Sequence, residues 1–417
     1  MEVRPGYKLT EVGVIPEEWA CTAIASVARL ESGHTPSKRR QNYWGGSVQW
    51  VSLHDTAALE GREIEVTAKT ITEDGLNHSS ARLLPPGTVV FSRTATVGKA
   101  TVMATSMATS QDFANYICGP SLHNHFLVYL FRSMRPMWQR LMAGSIHNTI
   151  YMPTFRALKI VIPPLAEQHS IAAALADVDA LLGGLERLIA KKRDLKQAAM
   201  QQLLTGQTRL PGFCGEWEIV QIGEIASVRT GPFGSTLHES DYVQDGTPII
   251  TVEHLGEFGV TRQNLPLVSV QDCKRLCSYA LEVGDIVFSR VGSIDRNALI
   301  REEEEGWLFS GRLLRIRPDK KTVFAPYLSL QFHTATFKNS VLAVAVGQTM
   351  ASLNTKILKG LSVPMPSIGE QTAIATVLSD MDTELAALEA RRDKTRLLKQ
   401  GMMQELLTGR TRLVCAR

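Results

Sequence analysis

A duplicated segment of 44 residues constrains this chain more than any other sequence feature. Residues 167–210 align without a gap with residues 370–413, 203 positions later, and 24 of the 44 positions are identical. Both copies begin with Glu-Gln, carry Asp-x-Asp further on and end with Leu-Leu-Thr-Gly-x-Thr-Arg-Leu. A match of this length and identity excludes chance, so the chain contains an internal repeat.

Apolar residues in each copy recur at alternating steps of four and three, which is the spacing of one face of an α-helix. They are Ile171, Leu175, Val178, Leu182, Leu185 and Ile189 in the first copy, and Ile374, Leu378, Met381, Leu385 and Leu388 in the second. We therefore predict one helix per copy, about 38 residues and roughly 57 Å long. A helix of this length cannot bury its apolar stripe in a small domain, so the two helices are expected to pack on each other.

The ends of both predicted helices carry local signals. Gly206 and Gly409 are placed to end each helix in the left-handed backbone conformation that glycine adopts readily. Ser367 with Glu370 three residues later predicts a capping box at the start of the second helix, whereas the first copy has Pro164 in the place of that serine.

The segments outside the repeated helices also share landmarks. The run Gly-Thr-Val-Val-Phe-Ser-Arg at 87–93 resembles Gly-Asp-Ile-Val-Phe-Ser-Arg at 284–290. Apolar runs at 48–51 and 88–91 predict strands, and residues 122–142 predict one or two short helices broken at Pro136. The sequence therefore divides into a first globule at 1–163, a first helix at 164–210, a second globule at 211–366 and a second helix at 367–417.

The order of these parts constrains their geometry. The first helix leads from the first globule to the second, so the second helix must run back in order to pack along its twin. The expected fold is α+β, with two α/β globules separated by two long antiparallel coiled-coil helices and related by a pseudo-two-fold axis. Duplex DNA has the same local symmetry, and paired modules meet its half-sites about 34 Å apart or at multiples of that distance.

Composition and charge narrow the class of protein. A formal charge of +4 and a pI near 8.7 permit nucleic acid as a partner. The first ten residues have no signal-peptide pattern, and no uncharged apolar run approaches the length of a membrane span. Six scattered cysteines form no disulfide framework, so we expect a cytoplasmic protein.

The sequence lacks the usual catalytic signatures. The nearest approach to a nucleotide-binding P-loop, at 97–100, has neither the first glycine nor the final hydroxyl. Asn-Pro-Pro-aromatic, Asp-Pro-Pro-aromatic and Glu-x-Lys sequences do not occur. His123 with His125, and Cys273 with Cys277, could each form half of a metal site, but neither pair has a matching second half, which favours ordinary core or surface roles. Any chemistry is therefore expected on other chains.

Several motifs in a fixed order resemble one protein family. They are Tyr-Lys-Leu-Thr-Glu-Val-Gly-Val-Ile-Pro at 7–16 followed by Trp19, the segment from Gly144 to Gln168, Met-Gln-Gln-Leu-Leu-Thr-Gly-Gln-Thr-Arg-Leu-Pro-Gly-Phe at 200–213, and the partial copy of the last at 403–413. Across essentially its full length, the sequence resembles the specificity subunit of Type I restriction-modification enzymes.

The resemblance implies a non-catalytic reader of double-stranded DNA. In that family two target-recognition domains each contact one half of a bipartite asymmetric site, and two helices form an antiparallel spacer. The helices dock two modification subunits, which are methyltransferases that use S-adenosylmethionine, and two restriction subunits join and use ATP for translocation and cleavage. The resemblance therefore implies no cofactor in this chain, with S-adenosylmethionine, ATP and Mg²⁺ on its partners.

Candidate DNA contacts come from residue types that bind phosphates or base edges. Lys38, Arg39 and Arg40 form a basic triplet in a loop rich in Gly, Pro and Ser, although such a triplet is often only a solubilising surface. The matching loop of the second globule begins at Arg229 and ends at Ser235, and it carries less charge.

Two further candidate pairs end apolar strands. Ser92 with Arg93, and Ser289 with Arg290, are expected at the rim of each globule, unless the arginine is bonded within its own domain. Weaker candidates are Gln111, His147, Asn148, Arg312 and Gln348, although amide and hydroxyl groups in these segments could instead cap turns.

Two other functions fit the same sequence less well. A helical scaffold with two peptide-binding globules explains the repeated helices without DNA. A self-contained methyltransferase-nuclease would require catalytic motifs that the sequence lacks.

Overall fold

A computed structural model of the chain describes residues 5–142, 149–232, 237–256, 259–345 and 352–413. The chain forms two compact units: unit 1 is Met1–Arg187 with Ala390–Arg417, and unit 2 is Leu188–Glu389. Each unit therefore combines one globule with a part of each repeated helix.

Unit 1 contains twelve strands and four short α-helices among its described residues. The strands are β1 (Tyr7–Thr10), β2 (Gly13–Pro16), β3 (Ala20–Ala23), β4 (Ala28–Ser32), β5 (Trp44–Val51), β6 (Glu63–Ile64), β7 (Thr70–Ile71), β8 (Val89–Ser92), β9 (Ala100–Met103), β10 (Ala108–Thr109), β11 (Phe113–Cys118) and β12 (Lys159–Ile162). The helices are α1 (Glu73–Asn77), α2 (Asn124–Ser133), α3 (Arg135–Met142) and α4 (Met152–Ala157), followed by the long helix α5 (Leu165–Leu204).

A five-stranded sheet in the order β4-β11-β8-β9-β6 forms the centre of unit 1. Its strands pair antiparallel except for β6, which is parallel to β9. A smaller sheet has the order β10-β5-β7, and the pairs β1-β2 and β3-β12 complete the unit. The predicted strands at 48–51 and 88–91 are confirmed within β5 and β8. The two predicted helices are also confirmed, but the break lies at Met134, and Pro136 falls in the first turn of α3, where its missing N–H costs nothing.

Unit 2 repeats this plan. Its strands are β13 (Glu218–Gln221), β14 (Ala226–Thr230), β15 (Tyr242–Val243), β16 (Thr247–Ile250), β17 (Leu267–Val268), β18 (Ile286–Ser289), β19 (Asn297–Leu299), β20 (Leu308–Phe309), β21 (Leu313–Pro318) and β22 (Ser362–Met365). Its helices are α6 (Ile222–Ile225), α7 (Val270–Arg275), α8 (Ala325–His333), α9 (Ala335–Val344) and α10 (Thr355–Gly360), followed by the long helix α11 (Ile368–Leu406).

Four strands of the central sheet correspond between the two units. The order β14-β21-β18-β19 in unit 2 matches β4-β11-β8-β9 in unit 1, and a second sheet has the order β15-β17-β16-β20. In both units a short strand runs parallel to a strand of the smaller sheet: β10 to β5 and β20 to β16. The duplication inferred from sequence landmarks therefore extends through both globules.

Aromatic side chains fill the core behind each central sheet. In unit 1 the Phe91 ring contacts Phe131, Trp138 and Phe155 at centroid distances of 5.1, 4.9 and 5.3 Å. In unit 2 the Phe288 ring has the same place, 5.6 Å from Phe332. Since these rings are almost fully buried, each contributes about 1.5–3 kcal/mol through removal of apolar surface from water.

The two long helices confirm the prediction from periodicity. Ile171, Leu175, Ile374 and Leu378 of the predicted stripes are at most 1% exposed, and they belong to the cores of the units that contain them. Gly206 and Gly409 have φ values of +72° and +70°, which confirms the left-handed ends. Among the described residues, no helix has the length and hydropathy of a membrane span.

Within each unit the segments of α5 and α11 run antiparallel, because residues early in one helix pair with residues late in, or just beyond, the other. The pairs are Glu167–Arg412, Asp179–Lys399 and Glu186–Arg396 in unit 1, and Glu370–Arg209, Asp382–Lys196 and Glu389–Arg193 in unit 2. The second set is the first set with the two helices exchanged and each residue shifted by 203 positions.

The repeated Glu-Gln sequence has a defined structural role at the start of α5. Glu167, 3% exposed, accepts hydrogen bonds from the Trp19 indole at 3.0 Å and from Arg412 Nε at 2.8 Å. Gln168 Oε1 accepts from the backbone N–H of His123 at 2.8 Å, and its Nε2 donates to the carbonyls of Ser121 and Pro163. The glutamate thus joins the two helices, and the glutamine fixes the helix to its globule.

Unit 2 repeats this arrangement at the start of α11. Glu370 accepts from Trp217 and Arg209, and Gln371 bonds to the backbone of Phe324, Thr322 and Pro366. Ser367 Oγ accepts from the Glu370 N–H at 3.4 Å, which confirms one half of the predicted capping box. The Glu370 carboxylate, predicted to close the other half, bonds instead to a tryptophan and an arginine distant in sequence.

Candidate nucleic-acid interface

The basic loop at 33–40 in unit 1 is held in place by two tryptophans of β5. The Trp50 indole donates to the His34 carbonyl at 3.0 Å, and the Trp44 indole donates to the Ser37 carbonyl at 3.2 Å. The two rings pack edge to face with centroids 5.0 Å apart. Because its backbone is anchored at two points, the loop presents its side chains from a fixed position.

The three predicted cations of this loop are exposed, but they are not equivalent. Lys38 and Arg39 lie in the turn itself, and no intramolecular partner for either side chain is found in the part of the chain that the structure describes. Arg40 donates to the Tyr43 hydroxyl at 2.8 Å and stacks on the Tyr43 ring at 5.4 Å. The side chains of Lys38 and Arg39 are therefore exposed on the turn, whereas Arg40 is partly engaged within its own domain.

Gln111 lies beside the basic loop. Its Oε1 atom accepts a hydrogen bond from the Thr35 hydroxyl at 2.5 Å, and its side chain is exposed. Residue 111 thus joins the loop at 33–40 to the turn before β11, and the structure brings these two predicted contacts to one surface of unit 1.

Arg93 is bonded within unit 1. Its Nε atom donates to the Gln111 carbonyl at 2.9 Å and its Nη1 atom donates to the Ile150 carbonyl at 3.1 Å. Burial lowers the pKa of the Arg93 guanidinium below its ordinary value, and the Asp112 carboxylate acts in the opposite direction. This matches the alternative weighed from the sequence, in which the arginine serves its own domain. Arg93 joins the turn before β11 to the segment at Ile150. We call the surface formed by this turn and the loop at 33–40 the rim of unit 1.

Arg290 has the corresponding place in unit 2. Its Nη1 atom donates to the Gly311 carbonyl at 3.2 Å, its backbone N–H bonds to the Arg312 carbonyl, and its own carbonyl accepts from Leu353. In unit 1 the Arg93 backbone makes the same bonds to Asp112 and Ile150. The Phe-Ser-Arg landmark therefore marks a repeated backbone junction.

The two serines of this landmark are not at the rim, so that expectation is wrong. Ser92 and Ser289 are each 0% exposed. The Ser92 hydroxyl bonds to Thr94 O at 3.1 Å and Thr96 Oγ1 at 3.0 Å, and the Ser289 hydroxyl bonds to the Ser293 carbonyl. The strand continues through the serine, and the loop that follows folds back over its hydroxyl group.

The corresponding surface of unit 2, which we call its rim, includes Arg229 and Arg312 and carries different side chains. Arg312 is exposed, at the position that Asp112 has in unit 1. Arg229 stacks on the Tyr279 ring at 4.1 Å, and its Nη1 atom donates to the Ser278 carbonyl at 2.7 Å. Arg312 is therefore exposed on this surface, whereas Arg229 is held against the turn that follows α7.

A glycine makes the base of the rim loop possible in both units. A Cβ atom on Gly33 would lie 2.1 Å from the Ser110 carbonyl oxygen, and one on Gly231 would lie 2.2 Å from the Ser310 carbonyl oxygen. Both loops therefore leave their strands in contact with the backbone before β11 or β21. The remaining predicted contacts, His147, Asn148, Ser235 and Gln348, lie outside the described residues.

The family described as "Type I restriction modification DNA specificity domain" matches residues 16–192 and 215–397. Together the two matches cover most of the chain.

The chain belongs to this family.

The two family matches follow the duplication. Each one includes a globule and most of the long helix that leaves it, so the repeating unit of sequence is one specificity domain with its helix. The resemblance inferred from the ordered motifs is thereby confirmed.

Characterised relatives are specificity subunits. The chain is 25% identical over 266 residues to the MjaIX specificity subunit of Methanocaldococcus jannaschii, a match that covers 60% of this chain and 61% of that subunit. It is 20% identical over 418 residues to the MjaVIII subunit of the same organism, with 96% and 94% covered. The EcoKI specificity subunit of Escherichia coli K12 is 21% identical over 385 residues, with 87% and 82% covered.

Solved structures of specificity subunits have the same fold. The S subunit from M. genitalium superposes with a TM-score of 0.56 at 16% identity, covering 96% of this chain and 98% of that one. The HsdS subunit from Thermoanaerobacter tengcongensis gives a TM-score of 0.56 at 18% identity, covering 95% and 98%.

Sequence reasoning missed the groups that fix the loops of this specificity-domain pair. Trp44, Trp50 and Tyr279 anchor the rim segments, and Thr35 bonds to Gln111. In unit 1, the two tryptophans shortly after a loop rich in Gly and Pro were the sequence signal that could have indicated how the loop is anchored. The Tyr279 contact joins residues 50 positions apart and has no local signal.

Proposed function

We propose that this chain is the non-catalytic specificity subunit of a Type I restriction-modification complex that works in the cytoplasm. It recognises a bipartite asymmetric site in double-stranded DNA, and each globule reads one half. The domain limits predicted from the sequence, 1–163, 164–210, 211–366 and 367–417, are part of this proposal.

One observation carries the proposal. The two specificity domains repeat the same helix pairing, with Glu167 bonded to Arg412 in unit 1 and Glu370 bonded to Arg209 in unit 2, but their rims carry different side chains. Two globules that share the same helix pairing but carry different side chains at their rims are suited to a DNA site with two different halves. Unlike surfaces also account for asymmetry in the sequence recognised.

The long helices are proposed to serve as the spacer. Antiparallel pairing within each unit supports this role, since an α-helix has a fixed rise per residue and therefore a length set by its residue count. Inserting one helical turn into each helix should therefore lengthen the gap between half-sites and leave both half-site sequences unchanged. A changed half-site sequence after such an insertion would contradict the proposal.

The helices are also proposed to dock two methyltransferase subunits and two restriction subunits, which would hold S-adenosylmethionine, ATP and Mg²⁺. Leu181, Leu195 and Leu397 are between 45% and 68% exposed on these helices, and such apolar surface is suited to contact with other proteins.

Within the interface, Lys38 and Arg39 are proposed to hold phosphates, and Gln111 and Arg312 to read base edges. Cations on loops suit phosphates, whereas an amide or a guanidinium can form paired hydrogen bonds with adenine or guanine. Arg40, Arg93, Arg229 and Arg290 are assigned to positioning. His147, Asn148, Ser235 and Gln348 remain predicted contacts.

Duplex binding as a function of salt tests the proposed function. The full chain assembled with its modification subunits should bind a duplex that carries the recognised site, and the affinity should fall steeply as salt rises because phosphate contacts release counterions. A peptide-binding scaffold would be indifferent to duplex DNA. Methyl transfer by the purified chain alone with S-adenosylmethionine would instead favour a self-contained enzyme.

A further inference from the structure

Unit 1 has a cationic pocket in addition to its rim. The pocket encloses about 510 Å³ and is lined by the loop at 95–99, by residues of α2 and α3, by the segment at 59–60 and by one residue of α11. Four of its lining side chains are cationic: Lys99, Arg132, Arg135 and Lys399. None of these four was among the contacts predicted from the sequence.

The positive charge of this pocket exceeds its negative charge. Glu60 pairs with Lys99 at 2.8 Å, and Asp179 pairs with Lys399 at 2.6 Å. Four cations and two carboxylates leave an excess of two positive charges, carried by Arg132 and Arg135. A concave surface with such an excess attracts anions.

Arg132 is fixed and partly removed from water. Its Nε atom donates to the Ala100 carbonyl at 3.2 Å, and its Nη2 atom donates to the Gly61 carbonyl at 2.6 Å. Burial lowers the pKa of this guanidinium, and the Tyr129, Asp179 and Glu60 side chains act in the opposite direction. Since neutral carbonyls do not cancel its charge, an anion in the pocket would stabilise it.

The loop that lines the pocket is built in advance of any ligand. Ala95 has a φ of +59°, a left-handed conformation that is uncommon for a residue other than glycine and that persists only where the surroundings hold it. The surroundings here include the buried Ser92 hydroxyl, which bonds to Thr94 and Thr96, and the Ser92 carbonyl, which accepts from Gly98 at 3.2 Å. Ser92 therefore positions this loop.

Unit 2 has a histidine at the position that Arg132 has in unit 1. His333 has the place of Arg132, since Phe332 before it packs on Phe288 as Phe131 packs on Phe91. Burial lowers the pKa of His333 to about 4, so it is neutral at pH 7. Because both units share the same helix pairing, this shared pairing does not explain why unit 1 has a charged arginine at this position and unit 2 a neutral histidine.

We propose that this pocket binds a phosphate group. The loop at 95–99 follows directly after Arg93, whose side chain bonds to the carbonyl of Gln111 at the rim. The chain segment that leads from the rim therefore continues directly into the loop that lines the pocket. The inference rests on the proposed function where the phosphate is a phosphodiester of DNA, and a free phosphorylated molecule is the other source of the same chemistry.

The test uses the doubly substituted chain Lys99→Gln/Arg135→Gln in the full complex, and Arg140→Gln as its control. Arg140 is an exposed arginine of the same helix that does not line the pocket. Arg132 is left intact because its carbonyl bonds are structural. Equal thermal melting of the three chains would show that the fold is retained.

Binding of the cognate duplex is measured over a range of salt concentrations. The double variant should bind more weakly, and the slope of log K against log salt should fall by about one for a lost phosphate contact, with unchanged sequence preference. The control should retain the parental slope. A parental slope in the double variant, with the parent still binding duplex, would overturn the assignment to DNA.

A second arm titrates inorganic pyrophosphate into parent and double variant by calorimetry. Binding by the parent alone supports a phosphate pocket even where duplex binding is unaffected, and it then assigns the pocket to a free phosphorylated molecule. No binding in either arm overturns the inference. Loss of assembly with the modification subunits and unchanged duplex binding would identify an acidic protein surface as the partner and also overturn it. A parent that binds no duplex contradicts the proposed function, while the pyrophosphate arm still decides the pocket.

Discussion

In both units a buried glutamate at the start of a long helix is bonded to a tryptophan of the globule and to an arginine just beyond the end of the other long helix. The rims of the same two globules share their backbone junctions and differ in their outward side chains. Unit 1 presents Lys38, Arg39 and Gln111, whereas unit 2 presents Arg312. The contrast separates two tasks within one repeated fold: the shared bonds set where each rim lies, and the unshared side chains set what it contacts.

Removal of the shared carboxylates should have the largest effect on stability. Glu167→Ala and Glu370→Ala should each lower the free energy of unfolding by about 3 kcal/mol, because each removes a buried carboxylate that accepts hydrogen bonds from an arginine and a tryptophan. Denaturant unfolding measures the loss. Similar losses in both variants support a shared structural role, and a negligible loss in either would refute it for that unit.

Adding a methyl group at the base of each rim loop probes the shared backbone junction. Gly33→Ala and Gly231→Ala should each cost about 2 kcal/mol, since a Cβ there would overlap a carbonyl oxygen and force the backbone to shift. Denaturant unfolding of the two chains measures this cost, and duplex binding should weaken in parallel. Two variants as stable as the parent would show that the loops can move freely.

The unshared side chains should affect one half-site only. Arg312→Ala should reduce discrimination at a base pair of the half-site read by unit 2 by about 1–3 kcal/mol, because a guanidinium that bonds a base edge is lost. Competition binding with duplexes mutated in either half measures this change. Gln111→Ala is the matched variant, and it should act on the other half. Equal relaxation of both halves by Arg312→Ala would contradict the division.

Substitution of the two cations at the tip of the basic loop should lower the affinity for duplex DNA without changing the sequence preference. Lys38→Gln with Arg39→Gln should weaken binding of every duplex by a similar factor and reduce the salt slope by about two, one for each lost phosphate contact. Titrations with cognate and scrambled duplexes at several salt concentrations provide the measurement. A selective loss on the cognate duplex would reassign these residues to base reading.

The smallest expected effect lies in the helices. A Cβ on Gly184 or Gly401 would meet no atom within 4 Å, so alanine at either position should stabilise the chain by about 0.5–1 kcal/mol through its helix propensity. Thermal unfolding would register a small increase. These variants also serve as controls for Gly33→Ala and Gly231→Ala, and a loss of stability would mean that the fold needs glycine at these two helix positions.

The sequence predicted the long helices well because their information is local. A stripe of apolar residues at steps of four and three specifies a helix and its buried face without reference to the rest of the chain, and Gly206 and Gly409 specify the ends. The capping box at Glu370 was only half correct because an arginine 161 positions away bonds to that carboxylate. Such a pairing depends on the fold.

The candidate DNA contacts were predicted less well, because their exposure depends on contacts with residues elsewhere in the fold. A serine at the end of an apolar strand looks exposed in sequence, yet the loop after Ser92 folds back and buries it. Arg93 looks available, yet carbonyls 18 and 57 positions away accept its hydrogen bonds. Lys38 and Arg39 were correctly expected to be exposed, because a loop with glycine, proline and three consecutive cations has no apolar face to bury.

The proposed role of this chain as a reader of a split DNA site is tested most directly by mapping methylated adenines across the genome of cells with and without its gene. The account predicts that one bipartite motif with two unlike halves is methylated in the parent strain and unmethylated after deletion. Persistence of that motif in a deletion strain without a second specificity gene, or dependence of an unsplit motif on this chain, would contradict it.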